Sequence, residues 1–230
     1  MNAKEFLEAA KSLFESHGDP EQAEAQSKYM RNKFRYFGLK SAEWKSLAKQ
    51  LYTRHGLLPP AELDSFCHLA FAEEERELHY LAVQMLEKSM RKLSAGDIAL
   101  IEYLITTKSW WDTVDWLAKL AGKHFSRFPE LRLPMTEKWI ASGNSWLQRT
   151  CIIFQLTYRE KTDFDLMKKY ILAVMPTKEF FLQKAAGWAL RQYTKTNPDE
   201  VMDFLDQHPD LPKLTKKEAV KWLVARSQSS

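Results

Sequence analysis

Residues 107–115 read Thr-Lys-Ser-Trp-Trp-Asp-Thr-Val-Asp, and two of them could do chemistry together. Trp111 and Asp115 are four positions apart, so on a helix they share a face, one turn from each other. Paired tryptophans beside a carboxylate can hold an aromatic or cationic group, because indole faces and carboxylates both favour positive charge. Asp112 and Asp115 are three apart and also neighbours. Ser109 is placed to cap this helix, with Asp112 near the positive end of its dipole. An ordinary structural role covers part of the stretch: Trp110 as a core anchor, Asp112 as a capping-box residue and Asp115 as a solvated charge. That role fits Trp110 and Asp112 better than Asp115.

Further along, Trp188 stands between Lys184 and Arg191, and Trp146 is followed by Arg149. A lone helical tryptophan is usually core, but the basic neighbours turn the reading toward a surface with a task. Residues 28–40 carry Lys28, Arg31, Lys33, Arg35 and Lys40 without an acidic residue, interleaved with Tyr29, Phe34, Tyr36 and Phe37. This stretch is either a solvated helix face ending at Gly38 or a phosphate-contacting edge. Other chemistries lack their residues. There is no glycine-rich phosphate loop, no His-Glu-x-x-His and no supporting context for a Ser-His-Asp triad. The histidines are dispersed, and Cys67 and Cys151 lack metal-ligand spacing, so they read as reduced thiols packed as small apolar groups. Neither a metal nor a cofactor is expected.

The elements that must position these residues are helical. Leu78, Leu81, Ala82 and Met85 recur at helical spacing, as do Phe6, Leu7, Ala10 and Phe14. Ser41, Ser94 and Asn197-Pro198 are helix starts. No run alternates cleanly between apolar and polar, so no sheet is expected. The pattern predicts helices over roughly 3–17, 20–35, 41–55, 60–71, 73–91, 95–106, 110–124, 128–142, 144–159, 163–174, 178–195, 198–207 and 215–226. Similar helical stretches open at Leu78, Thr113, Gln148 and Leu182, in steps of 35, 35 and 34 residues, and one step back lands at Glu43-Trp44. Two helices per step of that length are the mark of an α-solenoid, in which stacked antiparallel pairs curve and one helix of each pair lines a concave groove. No linker interrupts the chain, so residues 1–230 read as a single domain.

Composition agrees with a globular chain: 230 residues, 45% apolar, 28% charged and only 7 glycines. This argues against a turn-dense barrel, a disulfide scaffold or a disordered chain. No apolar run approaches the ~20 residues a membrane helix needs, and residues 1–5 lead into an amphipathic segment, not a signal peptide. A cytoplasmic protein is expected. Residues 1–115 hold 15 Lys/Arg against 18 Asp/Glu, and residues 116–230 hold 19 against 12. The second half is the side for a polyanion.

Residues 108–115 resemble the signature of the AlkD-type DNA glycosylases, the DNA alkylation repair family built from HEAT-like repeats. Residues 29–34 with Phe37-Gly38, residues 142–149 and residues 180–191 resemble its N-terminal edge, its groove-arginine segment and its second tryptophan helix, in order. The likeness runs from about residue 3 to about residue 226. It implies an all-α, HEAT-like solenoid that excises positively charged N3- or N7-alkylated purines from double-stranded DNA in base excision repair. It further implies Asp115 as catalytic carboxylate and Trp111 and Trp188 as aromatic walls around the lesion's deoxyribose. Arg149 and Tyr29 would hold the DNA, with Lys45 and Arg191 as backbone contacts. A monomer acting on bacterial chromosomal DNA, without metal or cofactor, completes the expectation.

The chemistry suits these groups. A cationic purine is already a good leaving group, so the enzyme must stabilise an oxocarbenium-like sugar and place a water, and one carboxylate can do both. Two other readings stay open: a helical-repeat scaffold without chemistry, which gives Asp115 no special role, and a damage binder that has lost it.

Overall fold

The computed structural model describes residues 1–175 and 177–227, which pack as two compact units, residues 1–100 and the described residues from 101 onward. The fold is all-α. Among the described residues there is no strand, only an isolated bridge between Arg35 and Glu75.

The first unit holds α1 (Ala3–Glu15), α2 (Pro20–Tyr29), α3 (Ser41–His55), α4 (Pro60–Ala72) and α5 (Arg76–Ser89). Helix α1 starts on a capping box: Asn2 accepts from the Glu5 amide, and the Glu5 carboxylate accepts from the Asn2 amide, both at 2.9 Å. It buries Ala3, Phe6, Leu7, Ala10 and Phe14 and packs against α3 and α4. Phe6 meets Phe66 of α4 edge-on at 5.3 Å.

The second helix ends six residues before the expected boundary. The backbone turns left-handed at Arg31 and Asn32, both with φ 56°, which no helix can continue. Beyond the turn, the Glu77 carboxylate accepts the amides of Phe37, Gly38 and Leu39 at 3.0–3.2 Å. Three backbone donors on one buried carboxylate hold residues 37–39 out of helical geometry. Burial raises the Glu77 carboxyl above its ordinary value, against the pull of those amides. Gly38, at φ 94°, is required here, since a Cβ would lie 2.0 Å from the Asp19 carbonyl oxygen.

The second unit continues with α6 (Ile98–Thr106, which straddles the division), α7 (Trp111–Arg127), α8 (Arg132–Ala141), α9 (Ser145–Ile153) and α10 (Phe164–Val174). Helices α11 (Phe180–Tyr193), α12 (Pro198–Gln207), α13 (Lys213–Ala219) and α14 (Lys221–Ser227) complete it. Successive contacts α7–α9, α9–α11 and α11–α13 make one layer, and α8–α10 a second. The repeat is visible in the pairing. Arg149 reaches Asp115 and Lys184 reaches Glu218 across 34 residues, Lys138 reaches Glu102 across 36, and Lys169 reaches Glu137 across 32. These helices of the second unit therefore meet their counterparts one repeat away, as in a solenoid.

Several boundaries differ from the periodicity. Helix α9 stops at Ile153, well short of residue 159, because the Gln155 side chain exchanges two hydrogen bonds with the Asp163 backbone and closes a loop. Asp163 then caps α10 through the Leu166 amide. The last expected helix is two short ones, α13 and α14. Ser41 is the first residue of α3, not its cap, whereas Asn197 caps α12 ahead of Pro198. Among the described residues, no helix is long and apolar enough to cross a membrane.

Candidate functional site

Three rings fix the start of α7. Trp110 is 7% exposed and lies 5.7 Å from Trp146 of α9 and 5.0 Å from Phe181 of α11, and those two are 5.2 Å apart. The chain enters through a left-handed Lys108 (φ 45°) and an extended Trp110, which takes the N-cap position without a side-chain cap. Ser109 is therefore not the cap. Its hydroxyl donates back to the Ile105 carbonyl at 2.6 Å, because the extended residue before the helix is Trp110. With Trp110 buried, α7 turns Thr113, Val114, Leu117, Ala118 and Ala121 inward. Trp111, Asp115 and Lys119, each four positions from the next, fall on its half-exposed side.

Asp115 is held by Arg149. The guanidinium donates from Nε to Oδ1 at 2.7 Å and from Nη2 to Oδ2 at 2.9 Å, a two-pronged pair. Its third nitrogen, Nη1, donates to the Phe181 carbonyl. The arginine side chain is 5% exposed and the carboxylate 19%. An ionised carboxylate has about four acceptor directions, and Arg149 takes two. What remains is a carboxylate of fixed orientation, backed by a buried cation and open on its other side. Arg149 is thus turned inward as a support for Asp115, not outward as a surface cation. A long charged side chain in a groove sequence looks solvent-facing until the carboxylate one repeat earlier is seen to claim it.

On α11, Leu182, Ala185, Ala186 and Leu190 are buried, while Lys184, Trp188 and Arg191 occupy the other side. The Lys119 ammonium of α7 lies 5.9 Å from the centre of the Trp188 ring. Lys184 and Arg191 both donate to Glu218 of α13, at 2.8 and 2.9 Å, and Lys221 joins them. Burial pushes the Glu218 carboxyl up, but the hydrogen bonds and charges of Lys184 and Lys221 outweigh it and hold the group at about 2. Arg191, read from sequence as a DNA backbone contact, therefore has a protein partner for at least one of its nitrogens.

The remaining candidates lie in the first unit. Tyr29 ends α2 with 72% of its surface exposed, and Lys45 is exposed on α3. Of the basic residues at 28–40, Lys28 pairs with Glu24 at 2.6 Å and Arg35 with Glu74 at 2.7 Å. Sequence reasoning passed over Lys119, Glu77 and Glu218. The 34-residue step from Lys184 to Glu218 is the one signal that could have found any of them. Among the described residues, no group of three or more His, Cys, Asp or Glu side chains is arranged to hold a metal. Cys67 and Cys151 are buried, and burial raises both thiols far above their ordinary value.

The chain is similar to a solved structure described as "Predicted DNA alkylation repair enzyme from Enterococcus faecalis", with 32% sequence identity and a TM-score of 0.83 over 90% of this chain and 96% of that one. No curated protein matches. The sequence profile of the family described as DNA alkylation repair enzyme matches residues 10–223. With that profile spanning nearly all of its length, the chain belongs to the DNA alkylation repair enzyme family.

Proposed function

We propose that this protein is a DNA glycosylase that hydrolyses the N-glycosidic bond of positively charged N3- or N7-alkylated purines in double-stranded DNA. In this reading the bond from the purine to the sugar C1′ breaks, and its electron pair leaves with the base, which departs neutral. Positive charge develops on the sugar ring. The Asp115 carboxylate faces that charge, and a water adds to C1′ as its proton passes to the carboxylate or to solvent. Trp111 and Trp188 would flank the sugar with indole faces, each worth ~0.5–2 kcal/mol toward a cation, depending on desolvation. Tyr29, Lys45 and Arg191 would meet the DNA, with Arg149 acting on it through Asp115. The enzyme would be monofunctional and work as a monomer.

The observation that carries this reading is the two-pronged Arg149 grip on Asp115. A carboxylate whose orientation is set before substrate arrives needs no reorganisation when charge appears on the sugar, which is how electrostatic catalysis gains most of its effect. Single-turnover release of 7-methylguanine from duplex DNA at saturating enzyme tests it. Wild type should release free base, and Asp115→Asn should lower the rate by about 10²–10³-fold while duplex binding stays within a few-fold. Equal rates for the two proteins would make Asp115 a structural charge and favour a scaffold without chemistry.

A further inference from the structure

Four cations gather near α11 and α13, and they are not equivalent: Lys184 and Arg191 belong to α11, Lys221 to α14 and Lys119 to α7. The first three share the Glu218 carboxylate. Lys119 has no carboxylate within ion-pairing reach among the described residues, and its contact there is the Trp188 ring. It is also half-buried and one turn beyond Asp115 on the same side of α7, a rise of about 6 Å.

That position poses an electrostatic problem under the reading given above. A face that stabilises a cationic sugar at Asp115 should not carry a second, uncompensated cation one turn away, because the ammonium would oppose the charge that the carboxylate favours. The conflict disappears if an anion arrives with the substrate. Each deoxyribose in DNA has a phosphodiester on either side, so a sugar placed at Asp115 brings a phosphate to within a turn of it. We propose that Lys119 contacts a backbone phosphate of the strand carrying the damaged base, with the Trp188 ring orienting its ammonium. This inference rests on the excision reading and deepens it. Lys119 anchors the phosphate beside the sugar, and Asp115 acts on the sugar itself.

Two measurements test it. The first is the salt dependence of binding to undamaged duplex. Lys119→Met keeps an unbranched apolar side chain and removes the charge. It should make the slope of log K against log salt shallower by about 0.9, the equivalent of one phosphate. Lys119→Arg should restore the wild-type slope. The second uses a duplex with a tetrahydrofuran abasic site and single neutral methylphosphonates on either side. One of these replacements should weaken wild-type binding several-fold and leave Lys119→Met unaffected. A Lys119→Met slope equal to wild type, or a slope that Lys119→Arg fails to restore, would overturn the proposal. Base excision is not needed for either readout, so the two readings fail separately. A shallower slope with no base release by wild type leaves the phosphate contact standing without the glycosylase. Normal base release with an unchanged slope removes Lys119 alone.

Discussion

Arg149 binds both carboxylate oxygens of Asp115 from a helix one repeat further along the chain, with its third nitrogen on the Phe181 carbonyl of the helix after that. Three consecutive repeats thereby converge on one guanidinium. The rings of Trp110, Trp146 and Phe181 pack in tilted and edge-on pairs across the same three positions. A solenoid contacts only its neighbours, so a site built from adjacent repeats is as rigid as the stacking itself.

The pairing makes Asp115→Asn more than a catalytic substitution. Removing the carboxylate leaves a nearly buried guanidinium without its counter-charge, which typically costs about 3–5 kcal/mol. The asparagine variant should therefore unfold at lower urea than wild type. Arg149→Met in the same chain should return most of that loss, because a hydrophobic side chain of similar length replaces the stranded charge. Base release should not return with it. Urea unfolding of the two single variants and the double variant checks the coupling, and additive losses would show that the pair contributes nothing as a pair.

Glu218 gives stability an acid dependence of known sign. Its carboxyl, held at about 2, lies below the ordinary glutamate value of 4.5, so its contribution is fully present above the unfolded value and is lost as pH falls toward 2. Wild type should lose stability between pH 4.5 and 2 more steeply than Glu218→Gln, the difference being up to one proton in the slope. At neutral pH the glutamine variant should be the less stable of the two, with Lys184, Arg191 and Lys221 left around a neutral group. Unfolding curves at about pH 5, 4 and 3 measure this. Parallel pH dependences in the two proteins would mean that the cluster is solvated and the carboxyl titrates normally.

Much of the fold was legible because solenoid helices are amphipathic and their spacing repeats. The 35-residue step appears in the pattern at Leu78, Thr113 and Gln148, and it reappears as hydrogen bonds across 32–36 residues. Periodicity missed the places where a side chain elsewhere in the chain overrides it. Residues 30–35 look helical but turn at Arg31 and Asn32, and Glu77, 39 positions beyond Gly38, clamps residues 37–39 in a non-helical path. Residues 154–159 look helical but close a loop on Gln155. Within the site, Trp111 and Asp115 could be placed on one face by counting. The repeat step pointed only from Lys184 to Glu218; the inward turn of Arg149 and the gathering of Arg191 and Lys221 on Glu218 depend on which neighbour claims each charge.

Gly187 of α11 lies tightly against α13. A Cβ built there would lie 2.4 Å from the Glu218 Cβ and 2.8 Å from the Thr215 carbonyl oxygen. Neither is the free end of a flexible side chain, so Gly187→Ala cannot be absorbed by a rotamer change and must push the two helices apart. Overpacking of this kind costs about 1–3 kcal/mol. Alanine in a helix returns up to about 1 kcal/mol over glycine, so the steric loss wins over most of that range and a net destabilisation of up to about 2 kcal/mol is expected. For a chain of this size, that lowers Tm by up to roughly 8 °C. The shift should also lengthen the contacts of Lys184 and Arg191 with Glu218, so the acid-dependent part of stability should shrink alongside Tm. Trp188, the next residue on α11, would move with its helix relative to Lys119. Thermal unfolding at about pH 7 and pH 3 measures both effects in one protein. A Gly187→Ala variant as stable as wild type, or more stable through its better helix propensity, would show that the close approach is slack and that α13 does not lock α11 in place.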